Sequence, residues 1–253
     1  MSWATPRWPA ACGSCRRPGP AYEGSTPRPG RVVADVVADT AALLDALGAG
    51  EYVSIGNSGG GPHTLACAAL AEGRCLGSAS VAGAAPYGAA GLDFLAGMGP
   101  ENVTEFRAAV AGQDALTDFL DKEAARMSGV TGEELAAAFG GLVTGADVAV
   151  MTGEHADELA ASLRGALRNG IAGWRDDDLA FVADWGFDPA TAAPRAAIWQ
   201  GDQDNMVPFA HGQWLAAHLP GARVHLQPGA GHLTMTVTMI DAILDDLLDL
   251  AGR

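Results

Sequence analysis

Lysine occurs once in these 253 residues, at Lys122, and Lys and Arg together number 15 against 30 Asp and Glu. A formal net charge of -15 leaves no clustered cations to displace counterions from a nucleic-acid backbone, and it argues equally against binding an anionic membrane surface. No apolar run approaches the roughly 20 residues that span a bilayer. Aromatic residues make up only 6%, and four cysteines are too few for a disulfide framework in a chain of this length. Met1–Pro9 has no continuous apolar stretch of signal-peptide type, which gives a cytoplasmic expectation. What is abundant is apolar residue, 49% of the chain, enough for the core of one large α/β domain or one domain carrying an insertion.

Residues 1–31 are rich in Pro, Arg, Gly and Cys without a period of 2 or 3.6, and read as an irregular segment. From Val32 the pattern turns helical: Val32, Val33, Val36, Val37, Leu43, Leu44 and Leu47 share a face, and Gly48 stands where a helix stops. Tyr52–Ile55 reads as a short strand, followed by glycines and a helix opened by Pro62. Leu76–Ala82 and Ala196–Trp199 read as buried strands, Arg223–Leu226 as another, with a helix near Phe209–His218 between the last two. Between them, 88–194 offers only helical stretches, near Glu101–Ala111, Ala115–Met127, Glu133–Phe139 and Glu154–Leu167, the third opened by the Thr131/Glu134 capping-box spacing. Val237–Leu250 closes the chain as an amphipathic helix with an acidic outer face. Alternating strands and helices on either side of a helical block predict a mostly parallel sheet with flanking helices: a core of 32–87 and 195–253, interrupted by a helical lid over 88–194.

Gly56-Asn57-Ser58-Gly59-Gly60 fits G-x-S-x-G directly after a strand and directly before a helix. A serine forced into that sharp turn presents its hydroxyl above the sheet, with the Gly59 amide at a helix N-terminus where partial positive charge favours a developing oxyanion. A serine hydroxyl needs a base, and the base needs an orienting carboxylate. Asp202 and Asp204 follow the Ala196–Trp199 strand, and Gly229-Ala230-Gly231-His232 follows the Arg223–Leu226 strand, so both candidates lie past C-terminal strand ends, where parallel sheets place their sites. The order Ser…Asp…His is one of the known triad orders. His63, inside the helix after Ser58, reads as structural. His211, His218 and His225 lack H-x-x-x-H spacing, so no metal is implied. Cys12 and Cys15 have C-x-x-C spacing without a second pair or a flanking strand and helix, and read as incidental. Cys67 and Cys75 read as small buried residues, Asp176–Asp178 as a solvated acidic loop, and Trp174, Phe181, Trp185 and Phe187 as core or pocket lining.

From about Gly24 to the C-terminus the chain resembles the α/β-hydrolase superfamily, in particular its lid-bearing esterase, lactonase and aminopeptidase-like branch. In that family the acid closes a G-x-x-D with a proline soon after, which Gly201, Asp204 and Pro208 match. The resemblance therefore implies Asp204 rather than Asp202 as the acid, leaving Asp202 as a turn acceptor. It implies His232, in G-x-G-H, as the base, Ser58 as nucleophile, Gly59 as an oxyanion donor and no cofactor. The family also carries an early His-Gly loop that completes the oxyanion hole, and no His-Gly dipeptide precedes Ser58. Arg17–Ser25 resembles a disturbed form of a family segment that normally follows several strands, so the fold reads as N-terminally incomplete. The first expectation is a serine hydrolase cleaving a small carboxylic ester or lactone. The second is a catalytically impaired domain of the same fold that binds a small molecule or a partner protein. Either way Tyr52–Ile55 becomes an apolar sheet edge, open to a second copy of the chain or to a partner.

Overall fold

The computed structural model describes residues 14–16, 18–71 and 73–253, so Cys12 of the C-x-x-C pair lies outside the described residues. Helix α1 (Val36–Leu47) follows one 3-10 turn and ends at Gly48, whose φ of 67° supplies the left-handed cap that the sequence predicts. It leads to β1 (Tyr52–Asn57), α2 (Gly60–Leu70) and β2 (Cys75–Val81). Six helices then follow without a strand: α3 (Pro100–Ala111), α4 (Gln113–Met127), α5 (Leu135–Phe139), α6 (Gly145–Val150), α7 (Gly153–Ala166) and α8 (Ala172–Val182). The chain returns through β3 (Ala196–Gly201), α9 (Phe209–His218), β4 (Arg223–Gln227) and α10 (His232–Leu250). The four strands form one all-parallel sheet in the order β1-β2-β3-β4.

The middle strands explain the unbroken apolar runs in the sequence. Every residue of β3 and all but one of β2 are buried, because helices cover both faces. On one face Leu65 and Ala68 of α2 and Leu215 of α9 pack against Ile198. On the other, Ile243 and Leu247 of α10 pack against Ala79, Val81, Ala197 and Trp199. The sheet edge at β1 is different. Only Gly56 of that strand is buried, Ile55 is 37% exposed, and α1 beside it contains no buried residue.

Two sequence expectations are corrected. Asp176–Asp178 is not a solvated loop: it lies within α8, with Asp176 and Asp178 buried and Arg31 reaching Asp177 at 2.7 Å and Asp176 at 3.4 Å. That ion pair ties Arg31 to α8, and Tyr22, whose ring lies against Gly173, ties a second described residue before α1 to the same helix. The last helix begins at His232 rather than Val237, because a carboxylate from α6 caps it. Among the described residues no helix is long and apolar enough to cross a membrane.

Candidate active site

Ser58 occupies the turn between β1 and α2 with a φ of 54°. A side-chain-bearing residue holds that left-handed conformation only where its surroundings enforce it. The Ser58 amide donates to Val81 O (2.9 Å), and its carbonyl accepts from the Gly61 amide (2.8 Å), which clamps the turn from both sides. Gly56 is required sterically: a Cβ there would lie 1.9 Å from the Gly60 carbonyl oxygen. The Gly59 amide, at the N-cap of α2, donates to no acceptor among the described residues and remains available to an incoming oxygen.

Asp204 and His232 meet. The His232 ring, at Nδ1, is 2.8 Å from Asp204 Oδ2, and both residues are buried. The loop after β3 fixes the carboxylate, since Asp204 Oδ1 accepts from the Met206 and Val207 amides, each at 2.8 Å. Gln200, on β3 itself, donates through Nε2 to Asp204 Oδ2 (3.0 Å) and to Val207 O (2.7 Å). Burial would push the His232 imidazole down, but the charge and hydrogen bond of Asp204, with the charge of Asp147, outweigh it and raise the ring above its ordinary value. Asp202 Oδ1 instead accepts from the Gly229 amide at 2.7 Å, the turn-bracing role. Ser58, Asp204 and His232 therefore stand at the same C-terminal end of the sheet, past β1, β3 and β4. No hydrogen bond joins the Ser58 hydroxyl to the His232 ring among the described residues.

Ser58 and Gly59 open onto a cavity of about 820 Å³. Its wall runs from Leu43 of α1 and the β1 edge to Phe106, Trp174 and Phe181 of the helical block, so the block and Ser58 share one space. His232 does not line it. Trp185 and Phe187 stack in the core instead. On the α8 wall, His63 Nε2 is 3.5 Å from Asp177. Burial would raise the Asp177 carboxyl, but His63 and Arg31 overcome it and hold the group below its usual range. Beside it, burial raises Asp178 well above the carboxylate range, aided by the charge of its neighbour Glu105, and Glu105 is raised by burial too. His211 is a satisfied core histidine: Nδ1 accepts from the Ala85 amide at 3.1 Å and Nε2 donates to Phe94 O at 2.9 Å. Burial lowers its pKa, in keeping with that neutral tautomer.

Two residues at this site escaped the sequence. Gln200 carried a weak signal, a polar residue ending an apolar strand just before G-x-x-D. Asp147 carried none: it is a single acid in the segment Gly145–Val150, yet it is fully buried against the amides that open α10.

A family model described as the alpha/beta hydrolase fold matches residues 11–236. No curated protein matches the chain. Among solved structures it is similar to a hydrolase from Pseudomonas aeruginosa PA01 at 22% identity and a TM-score of 0.60, over 93% of this chain and 78% of that one. It is similar to the enol-lactonase from Burkholderia xenovorans LB400 at 21% identity and 0.58, over 93% and 79%. A thermophilic esterase from Thermogutta terrifontis gives 18% identity and 0.61 over the same shares. The parallel order of the sheet, the strained serine turn after β1 and the extent of the family match together establish that the chain belongs to the alpha/beta hydrolase fold family.

Proposed function

We propose that the chain is a serine hydrolase that cleaves a small, largely uncharged carboxylic ester or lactone. The observation that carries this reading is the buried Asp204–His232 pair at the sheet end where Ser58 stands in its strained turn. In the reaction, Ser58 Oγ attacks the carbonyl carbon while its proton passes to His232 Nε2. The tetrahedral oxyanion is held by the Gly59 amide. Collapse expels the alcohol, which takes the proton from His232, and leaves Ser58 acylated. Water then attacks the acyl carbon as His232 takes its proton, and collapse releases the acid while His232 returns that proton to Ser58 Oγ. Asp204 holds the ring in the tautomer with Nδ1 protonated and stabilises the imidazolium.

The substrate class rests on the cavity. Phe106, Phe181 and Val207 give it apolar walls with a few polar groups, the lining that suits a small, largely uncharged substrate. The neighbours described as an enol-lactonase and an esterase point to the same chemistry. The helices of 88–194 act as the lid over this cavity. Catalytic hydrogen bonds are often long before substrate binds, which accommodates the open Ser58–His232 step.

A second reading, a binding domain with impaired catalysis, is favoured by that same open step and by the β1 edge, with which no strand pairs among the described residues. A fluorophosphonate probe separates the two. Labelling of the folded protein that disappears in Ser58→Ala supports the hydrolase, and absence of labelling in folded wild-type protein overturns it.

A further inference from the structure

We infer that Asp147 is a positioning residue for the base, transmitting the placement of the helical block to His232. The inference rests on the proposed hydrolase reading. Asp147 is fully buried on α6, 85 residues before His232 in the chain. Its Oδ2 accepts from the His232 amide (3.0 Å), and its Oδ1 accepts from the Leu233 amide (2.9 Å), the Thr234 amide (3.0 Å) and the Thr234 hydroxyl (3.0 Å). These amides belong to the first turn of a 19-residue helix whose own N-cap, Gly231, offers no side chain. The carboxylate thus does the work of an N-cap from a distant element, satisfying three orphan donors and meeting the positive end of the helix dipole.

The fit is built from both sides. A Cβ on Gly231 would lie 2.4 Å from Asp147 Oδ1, so glycine at that position leaves room for the carboxylate. Leu233 packs against the hydrophobic cluster of Val130, Leu135, Met151 and Ala160, which belongs to the helical block. The first three residues of α10, His232, Leu233 and Thr234, are therefore fastened to the block through their backbone amides. A shift of α6 carries the imidazole with it, toward or away from Ser58. The charged groups facing the ring are Asp204, from the loop after β3, and Asp147, from α6, and both favour the imidazolium.

The experiment uses the full chain with an activated ester, alongside NMR titration of the His232 ring. Asp147→Asn keeps the shape, removes the charge and turns an N–H donor toward one of the amides. It is expected to lower kcat by about 10- to 100-fold, the usual cost of misplacing a reacting group by about an ångström, with KM changed by less than about 3-fold. It should also move the His232 titration, and the acid limb of the rate profile, to lower pH. Thr234→Val, which removes one contact and keeps the charge, should leave both near wild type. If Asp147→Asn does not fold, Gly231→Ala crowds the carboxylate without neutralising it and should lower kcat in the same way. An unchanged His232 titration together with unchanged kcat in folded Asp147→Asn overturns the inference, as does a loss of activity equal in Thr234→Val. Wild-type protein with no Ser58-dependent hydrolysis overturns the hydrolase reading instead, and the titration still reports on Asp147.

Discussion

The two flanks of Ser58 are built to different standards. Toward β3 and β4, Asp204 accepts from a histidine, a glutamine and two backbone amides, Asp147 caps the helix that carries the histidine, and every named carboxylate oxygen is partnered. Toward α1, the sheet ends at β1, Ile55 is partly exposed, and Leu47 is 58% exposed on a helix with nothing buried. The first flank holds its groups rigidly because each has a low-dielectric, hydrogen-bonded place. Among the described residues no strand pairs with the outer edge of β1, and an unpaired strand edge is a template for association. Under the proposed hydrolase reading, the base and its carboxylate are held firmly, while among the described residues the Gly59 amide is the oxyanion donor this geometry offers.

The sharpest way to break that comparison is to weaken the ordered flank. Asp204→Asn should reduce kcat by about 10^4-fold, since the imidazole then loses the acceptor that fixes its tautomer. Asp202→Asn, which weakens the contacts of Asp202 Oδ1 with the Gly229 amide and the exposed Gln203 side chain, should stay within about 10-fold, since a hydrogen bond is worth about 1 kcal/mol. Steady-state kinetics on both variants decide the assignment, and a larger loss in Asp202→Asn refutes it. Packing should show the same asymmetry. Leu247→Ala, in the fully buried contact of α10 with the sheet, should cost about 2–5 kcal/mol in urea unfolding. Leu47→Ala, on the exposed flank, should change stability by less than about 0.5 kcal/mol. A comparable loss at Leu47 would mean that α1 is covered in solution.

Smaller effects sharpen the picture. Asp178 is held protonated above its unfolded value by burial and by Glu105. Its folded form therefore binds more protons than the unfolded chain, so its contribution is present in acid and is lost as pH rises from about 4 through the raised folded value. Asp178→Asn, which donates to Glu105 without ionising, should flatten that decline in unfolding midpoints measured between pH 5 and 8. An unchanged slope would show that the acidic pair is better solvated than its burial implies. Last, Ile55→Lys on the open edge should leave unfolding nearly unchanged but reduce self-association in sedimentation velocity, as edge lysines do. If wild-type protein is already monomeric at all concentrations, the edge is protected in some other way.

The sequence by itself determined the elements whose signals are local. The strand–turn–helix around Ser58, the G-x-x-D and G-x-G-H turns, the alternation that dictates a parallel sheet and the Thr131–Glu134 pairing, which forms in the turn before α5 rather than at its cap, are all written within a few residues of one another. Tertiary structure alone decided the rest. Asp176–Asp178 read as a solvated loop because charge runs usually are, and Arg31, 145 residues upstream of Asp176, drew them inside. The start of α10 fell at His232 because its cap comes from Asp147, which no helix-start pattern could place there. A local pattern sets which backbone conformation is cheapest, whereas a buried charge is fixed by whichever distant partner satisfies it, and that partner is chosen only when the chain is packed.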